Sequence, residues 1–272
     1  KELGFNMLRK HAKIEPERFY YHCDQLGMLV WQDMVNGGSA YKHWFVTYLA
    51  TLMNWNHISF SDDEKHAGLL SRLHPEGKDE FRREITETIA FLYNHPSIVV
   101  WVPFNEGWGQ FDALAACEQI RTLDSSRLVD HASGWFDQKG GDILSLHYYF
   151  LKLKFKPESK RAAALTEFGG YSLSIPGHSC CKKVYGYKKF NSTGTLTYGY
   201  IDLIRQTILP AVKKGIGATV YTQLSDIEEE TNGIYTYDRE ICKIDPDTLR
   251  KWNRALKEAG ECKTYADHTT DH

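Results

Sequence analysis

Two glutamates stand in matching surroundings: Glu106 in "PFNEGWG" and Glu167 in "ALTEFGG". Each follows an apolar run, and each has a glycine one or two residues on. A pair of carboxyl groups is what hydrolysis of a glycosidic bond needs. One protonates the departing oxygen, and the other attacks the anomeric carbon or activates water. Retention of configuration goes with carboxyls about 5–5.5 Å apart, inversion with about 6.5–9.5 Å. Other apolar runs also end in polar or aromatic groups. Arg9 and His11 close one and Asp33 another, while His131 and Trp135 lie at or beyond a third. His147 and Tyr149 alternate, so they share one face of a strand. Gln223 and Asp226 close the last run. With Trp108 after Glu106, these residues could line a sugar cleft, since sugar rings stack on aromatic faces.

Other chemistries lack their signatures. The 12 histidines include no His-Glu-x-x-His. Ser133-Gly134 does not complete a Gly-x-Ser-x-Gly elbow. Cys23, Cys117, Cys180, Cys181, Cys242 and Cys262 show no Cys-x-x-Cys spacing, and the adjacent pair is poorly placed to bridge. No metal and no cofactor is expected, because two-carboxylate hydrolysis requires neither.

The elements that must carry these residues repeat one plan: a β-type run, a polar turn, then an amphipathic segment. The runs span 5–11, 27–34, 97–106, 127–133, 143–149, 162–168 and 218–226. Several are apolar almost throughout, as parallel strands covered on both faces should be. Phe81, Ile85, Ile89 and Leu92 make one helical stripe. Leu249, Trp252 and Leu256 make another after "DPDT", a helix start signal. Strands alternating with helices predict parallel α/β. Seven such strands fit an eight-stranded (β/α)8 TIM barrel with one strand missing, where chemistry sits at the C-terminal strand ends. The alternative, a doubly wound sheet, lacks its glycine-rich phosphate loop.

The chain has 272 residues, 42% of them hydrophobic, enough for one large barrel or two ordinary domains. A net charge of −2 gives no electrostatic case for nucleic acid or an anionic membrane. No apolar run approaches the roughly 18 residues of a membrane span.

Taken together, "GFNMLRKH", "CDQLGMLVWQDM", "NHPSIVVWVPFNEGWG", "LDSSRLVDHASGW", "ALTEFGG" and "YTQLSDIEEETNGIYTYDRE" resemble the catalytic barrel of glycoside hydrolase family 2 in order and spacing. This family holds β-galactosidases, β-glucuronidases and β-mannosidases. The resemblance runs from about Lys1 to about Ala259. It implies Glu106 as general acid/base and Glu167 as nucleophile. It implies Asn105 as partner of the sugar 2-hydroxyl, Arg9 and Tyr149 as supports of the nucleophile, and His147 as a polar substrate contact. Asp33, Trp108, Trp135 and Gln223 complete the expected substrate-binding set. The chain departs from the family in three places. It has Arg9-Lys10-His11 where relatives often have Arg-x-x-His. It has Tyr221-Thr222-Gln223-Leu224 where many have a tryptophan. Asn232-Gly233-Ile234 lacks the lysine with which β-glucuronidases bind the acid. A neutral sugar, β-galactoside by default, is therefore expected. A non-catalytic carbohydrate-binding barrel, a β-mannosidase and an endo-acting enzyme are the alternatives.

The expected layout is one catalytic barrel over 1–260, holding strands two to eight, and a polar tail over 261–272. "KELGFN" reads as a helix end, a capping glycine and the start of a strand. The family's order then places strand one and N-terminal β-sandwich domains before this chain, in a longer protein.

Overall fold

The computed structural model describes residues 1–42, 44–56, 58–149, 153–181 and 184–266. The chain divides into two compact units. One comprises Asn6–His147 with Glu158–Ala162; the other comprises Lys1–Phe5, Tyr148–Pro157 and the chain from Ala163 onward.

The first unit opens with β1 (Met7–Lys10), α1 (Glu17–Leu26) and β2 (Leu29–Asp33). A π-helical turn (Phe45–Leu49) leads into α2 (Ala50–Trp55), followed by α3 (Pro75–Leu92) and β3 (Ile98–Val102). Then come α4 (Ala113–Leu123), β4 (Leu128–Val129) and β5 (Ile143–Tyr148). Strands β1 to β4 pair in chain order, each parallel to the next. Asp142 ties the foot of β5 to β4: its N–H donates to Val129 O, and its carboxylate accepts the Val129 N–H, both at 2.8 Å.

Helices cover the sheet with the stripe the spacing predicts. Phe81, Ile85, Ile89 and Leu92 of α3 pack with Val30, Ile98, Trp101 and Ile120 in one buried cluster. Burying one such side chain is worth about 1.5–3 kcal/mol. Pro75 opens α3, where its missing N–H costs nothing.

The second unit holds β6 (Ala162–Gly169), the short parallel pair β7 (Tyr171–Ser172) and β8 (Lys188–Lys189), and β9 (Ile216–Thr222). Its helices are α5 (Thr193–Leu203), α6 (Leu209–Lys213) and α7 (Pro246–Ala266). Ser192 and Thr195 cap α5 reciprocally. A π-helical turn at Ile204–Ile208 carries α5 into α6, just before Pro210. A proline ring clashes with the carbonyl four residues back, and a widened turn relieves that. Strands β6 and β9 pair parallel, with Phe168 opposite Tyr221 and Gly169 opposite Thr222. Gly169 sits at φ +98°, and a Cβ there would meet the Tyr221 ring at 2.4 Å.

Two boundaries differ from the sequence reading. Residues 1–4 form a turn closed by Gly4 N–H to Lys1 O at 2.8 Å, too short to be a helix. Helix α7 starts where "DPDT" says, with the Asp245 carboxylate accepting the Thr248 N–H at 2.7 Å. It then runs on to Ala266, into the expected tail, since nothing from Glu261 to Ala266 breaks a helix. Residues 267–272 lie outside the described residues.

Candidate active site

Glu106 stands just past the end of β3. There the chain keeps pairing with the segment after β4: Ser133 N–H donates to Phe104 O at 2.8 Å, and Glu106 N–H to Ser133 O at 2.9 Å. Glu106 itself is left-handed, at φ +50°, with Gly107 following at +73°. A non-glycine residue held there costs on the order of 1–3 kcal/mol and persists only where its surroundings impose it. The turn brings the Glu106 carboxylate to His147, with Oε1 2.8 Å from Nδ1. The other ring nitrogen, Nε2, lies 3.1 Å from Ser133 Oγ, which is 3.2 Å from Ser145 Oγ. Gly134 makes room for the imidazole: it sits at φ +84°, and a Cβ would lie 2.6 Å from the ring.

Beside them, β1 and β2 set a buried arginine. Arg9 donates through Nε and Nη2 to both oxygens of Asp33, at 3.0 and 2.9 Å, and through Nη2 to Asn105 Oδ1 at 2.8 Å. His11 Nδ1 is 3.1 Å from Asp33 Oδ2, and the Ala12 N–H also points there. Burial raises the Asp33 carboxyl, but the Arg9 charge and the His11 contact outweigh it, leaving it below its ordinary value. Asp33, expected among the substrate-binding residues, is buried, and both its oxygens accept from Arg9. Asn105 has its carbonyl oxygen on Arg9, which fixes the direction of its amide.

The second unit carries Glu167 near the end of β6. Tyr149 donates its phenolic proton to Glu167 Oε2 at 2.5 Å, and Thr222 Oγ1 on β9 lies 3.1 Å from the same phenol oxygen. The Tyr187 ring stacks on Tyr149, centroids 4.2 Å apart. Directly after β9, Gln223 donates to Asn232 Oδ1 at 2.6 Å and Glu230 Oε2 at 2.9 Å. Beneath that loop, Lys243 is fully buried. Its ammonium donates to Asp226 Oδ1 at 2.6 Å and to Leu173 O and Thr231 O at 2.9 Å. Burial pushes the Asp226 carboxyl up and the Lys243 amine down, while pairing pulls each back.

The sequence-predicted residues thus form two sets. Arg9, Asp33, Asn105, Glu106 and His147 come together in the first unit, and Tyr149 and Glu167 in the second, beside the strand end that leads to Gln223. Trp108 is partly exposed, with its ring 5.6 Å from Tyr41. Trp135, expected to contact substrate, packs among Phe45, Ala50, Leu70 and Phe136 in an apolar cluster. Sequence reasoning missed Ser133, Ser145, Glu230, Lys243 and Arg72. Arg72 buttresses the turn after Glu106, donating to Gly109 O at 2.9 Å, Gly77 O at 3.0 Å and the Asn36 side chain. His178, Asp238 and Glu240 also converge, on the surface. There His178 Nδ1 is already engaged in a hydrogen bond with Asp238 Oδ2 at 2.6 Å.

Residues 1–209 match the model of glycosyl hydrolases family 2, TIM barrel domain. A β-galactosidase of Leuconostoc mesenteroides subsp. mesenteroides is 26% identical over 97% of this chain and 24% of its own length. A β-mannosidase B of Thermothelomyces thermophilus is 32% identical over 35% of this chain and 8% of its own. The chain therefore spans about a quarter or less of these relatives. Among solved structures, the β-D-glucuronidase of Dictyoglomus thermophilum superposes with a TM-score of 0.62 at 15% identity, covering 93% of this chain and 45% of that one. A β-galacturonidase of Eisenbergiella tayi gives 0.62 at 19% identity with the same coverage. At such identities the superpositions show the fold, and the family match goes further: this chain belongs to glycosyl hydrolase family 2 and carries its TIM-barrel domain.

Proposed function

We propose that the chain supplies the catalytic barrel of a retaining β-glycosidase that removes a terminal, neutral, β-linked sugar, with a β-galactoside as first choice. The observation that carries this reading is the unlike company of the two glutamates. Glu167 receives a phenolic proton from Tyr149, a donor that favours a charged carboxylate, as a nucleophile requires. Glu106 faces an imidazole, a group able to give or accept a proton, as a residue that must be acid and then base requires. In the first step a Glu167 oxygen bonds to the anomeric carbon, the glycosidic bond breaks, and the departing oxygen takes the Glu106 proton. In the second, Glu106 takes a proton from water as that water displaces Glu167. Arg9 and Asn105 are assigned to orient the sugar around the reacting carbon, and Trp108 to offer an aromatic face. No step needs a metal or cofactor.

Glu230 supports a neutral sugar. Its carboxylate shares the Gln223 amide in the loop after β9, and a negative charge there disfavours a uronic acid. We also propose 1–260 as the functional barrel and further β-sandwich domains in the whole protein.

The test is a panel of aryl β-galactosides, β-mannosides and β-glucuronides with a 2-fluoro sugar that traps the intermediate. Labelling at Glu167, its loss in Glu167→Gln, and azide rescue of Glu106→Ala on activated substrates are expected. Equal loss on good and poor leaving groups in Glu106→Ala, without rescue, would overturn the division of roles. Turnover of the β-glucuronide alone would overturn the neutral sugar.

A further inference from the structure

Asp130, the residue after β4, is fully buried, and both its carboxyl oxygens lack a hydrogen-bond partner among the described residues. Such a group calls for an explanation, since almost all buried polar atoms are paired. Its surroundings supply one. The groups that bear on it are Arg9 from β1, Asp33 from β2, His131 from its own segment and the Ser145 hydroxyl from β5. Ser145 is also the far end of the chain of contacts that begins at Glu106. From Glu106 Oε1 it runs 2.8 Å to His147 Nδ1, then from Nε2 3.1 Å to Ser133 Oγ, then 3.2 Å to Ser145 Oγ. Ser133 and the His147 side chain are closed off from solvent.

We propose that Asp130 is a buried proton partner of Glu106, linked to it through His147, Ser133 and Ser145. The inference rests on the assignment of Glu106 as acid/base. The proton inventory balances in two arrangements. In the first, Glu106 O–H donates to Nδ1, Nε2–H to Ser133, Ser133 O–H to Ser145, and Ser145 O–H to the Asp130 carboxylate. In the second, every bond is reversed: Asp130 O–H donates to Ser145, Ser145 to Ser133, Ser133 to Nε2, and Nδ1–H to the Glu106 carboxylate. Passing from one to the other breaks the Glu106 O–H bond and makes the Asp130 O–H bond. The imidazole stays neutral in both, and the pair always holds one proton and one negative charge. The last link is the Ser145 hydroxyl, which bears on the Asp130 carboxyl from β5. Burial lifts the Asp130 carboxyl to about 6 against the opposing pull of Arg9, so it exchanges its proton in the range where a glycosidase acid/base must work.

The experiment follows the carboxyl carbons of Asp and Glu by 13C NMR between about pH 4 and pH 8 in the full chain, assigned with Glu106→Gln and Asp130→Asn. Glu106 is expected to titrate in two steps, one shared with Asp130, separated by roughly one unit or more. Asp130→Asn should leave Glu106 a single step, and Glu106→Gln should remove the matching step from Asp130. Ser145→Ala, which cuts the link without touching either carboxyl, should uncouple them too. It also serves if Asp130→Asn does not fold. In the pH profile of kcat/KM, Asp130→Asn should move the limb of a poor leaving group more than that of a good one. A Glu106 titration identical in wild type, Asp130→Asn and Ser145→Ala would overturn the proposal. The acid/base assignment is judged separately, by the azide rescue and leaving-group dependence of Glu106→Ala.

Discussion

Replacing Lys243 by methionine keeps the volume of the side chain and removes its charge. The structure sets the cost. The ammonium makes three short bonds, at 2.6 Å to Asp226 and 2.9 Å to the carbonyls of Leu173 and Thr231. Without it, Asp226 keeps, among the described residues, the Gly233 N–H at 2.8 Å, and its buried Oδ2 has no partner among them. Breaking a buried pair in this way costs about 3–5 kcal/mol. The carboxylate can escape by taking a proton, which at pH 7 costs about 4 kcal/mol from an ordinary starting pKa near 3.9 and limits the charge penalty to that amount. The escape also fixes the sign with pH. In Lys243→Met the folded pKa of Asp226 lies above the unfolded one, so stability falls as pH rises through that interval. The penalty should therefore shrink by about 1.4 kcal/mol for each pH unit from pH 7 to pH 5. Urea unfolding of the full chain at pH 7 and pH 5 measures it. With an m value near 3 kcal/mol/M, the midpoint should drop by about 1–1.7 M at neutral pH. Asp226→Asn added to Lys243→Met should recover much of the loss. A cost below about 1 kcal/mol at pH 7, or one indifferent to pH, would refute the reasoning.

Tyr149→Phe removes the proton donated to Glu167; losing a hydrogen bond to a charged group, about 1.5–3 kcal/mol, should lower kcat/KM about 10–160-fold while leaving the urea midpoint near wild type. Asp130→Asn should stabilise the fold at high pH: the folded carboxyl sits at about 6, above its unfolded value, so the wild type loses stability as pH rises through 6. Relative to wild type the gain should grow to about 3 kcal/mol by pH 8 and vanish near pH 4, as read from paired urea curves. Asp124 behaves oppositely. Despite burial, Ser126, Arg127 and Trp101 hold it at about 2, so the stability it contributes is present above pH 4 and lost as pH falls toward 2. Asp124→Asn should cost about 2–3 kcal/mol at pH 7 and little near pH 2.

Much of this arrangement is legible in the sequence because strand ends announce themselves. The run 97–106 contains β3, the run 143–149 contains β5, and 162–168 falls within β6. Apolar runs this continuous can only be buried, so the residues that follow them surface together at one end of each sheet. What was not legible depends on pairing rather than on type. That Arg9 occupies both oxygens of Asp33 could not be read from residue type. Nor could the packing of Phe45 and Phe136 around Trp135. Serines are frequent and say little singly, yet Ser133 and Ser145 stand where the line of contacts from His147 continues inward. Lys243 looks like a surface lysine, because only the fold brings Asp226, seventeen residues earlier, beneath the same loop. The left-handed turn at Glu106 lies between these cases. "NEGWG" signals a turn, but a positive φ falling on the glutamate itself, with glycines available on either side of Trp108, is a choice no propensity favours. Bearing that strain at Glu106 turns the carboxylate toward His147. A substitution that eases it, Glu106→Gly, should stabilise the chain while abolishing its acid/base chemistry, the combination expected where strain is held for function.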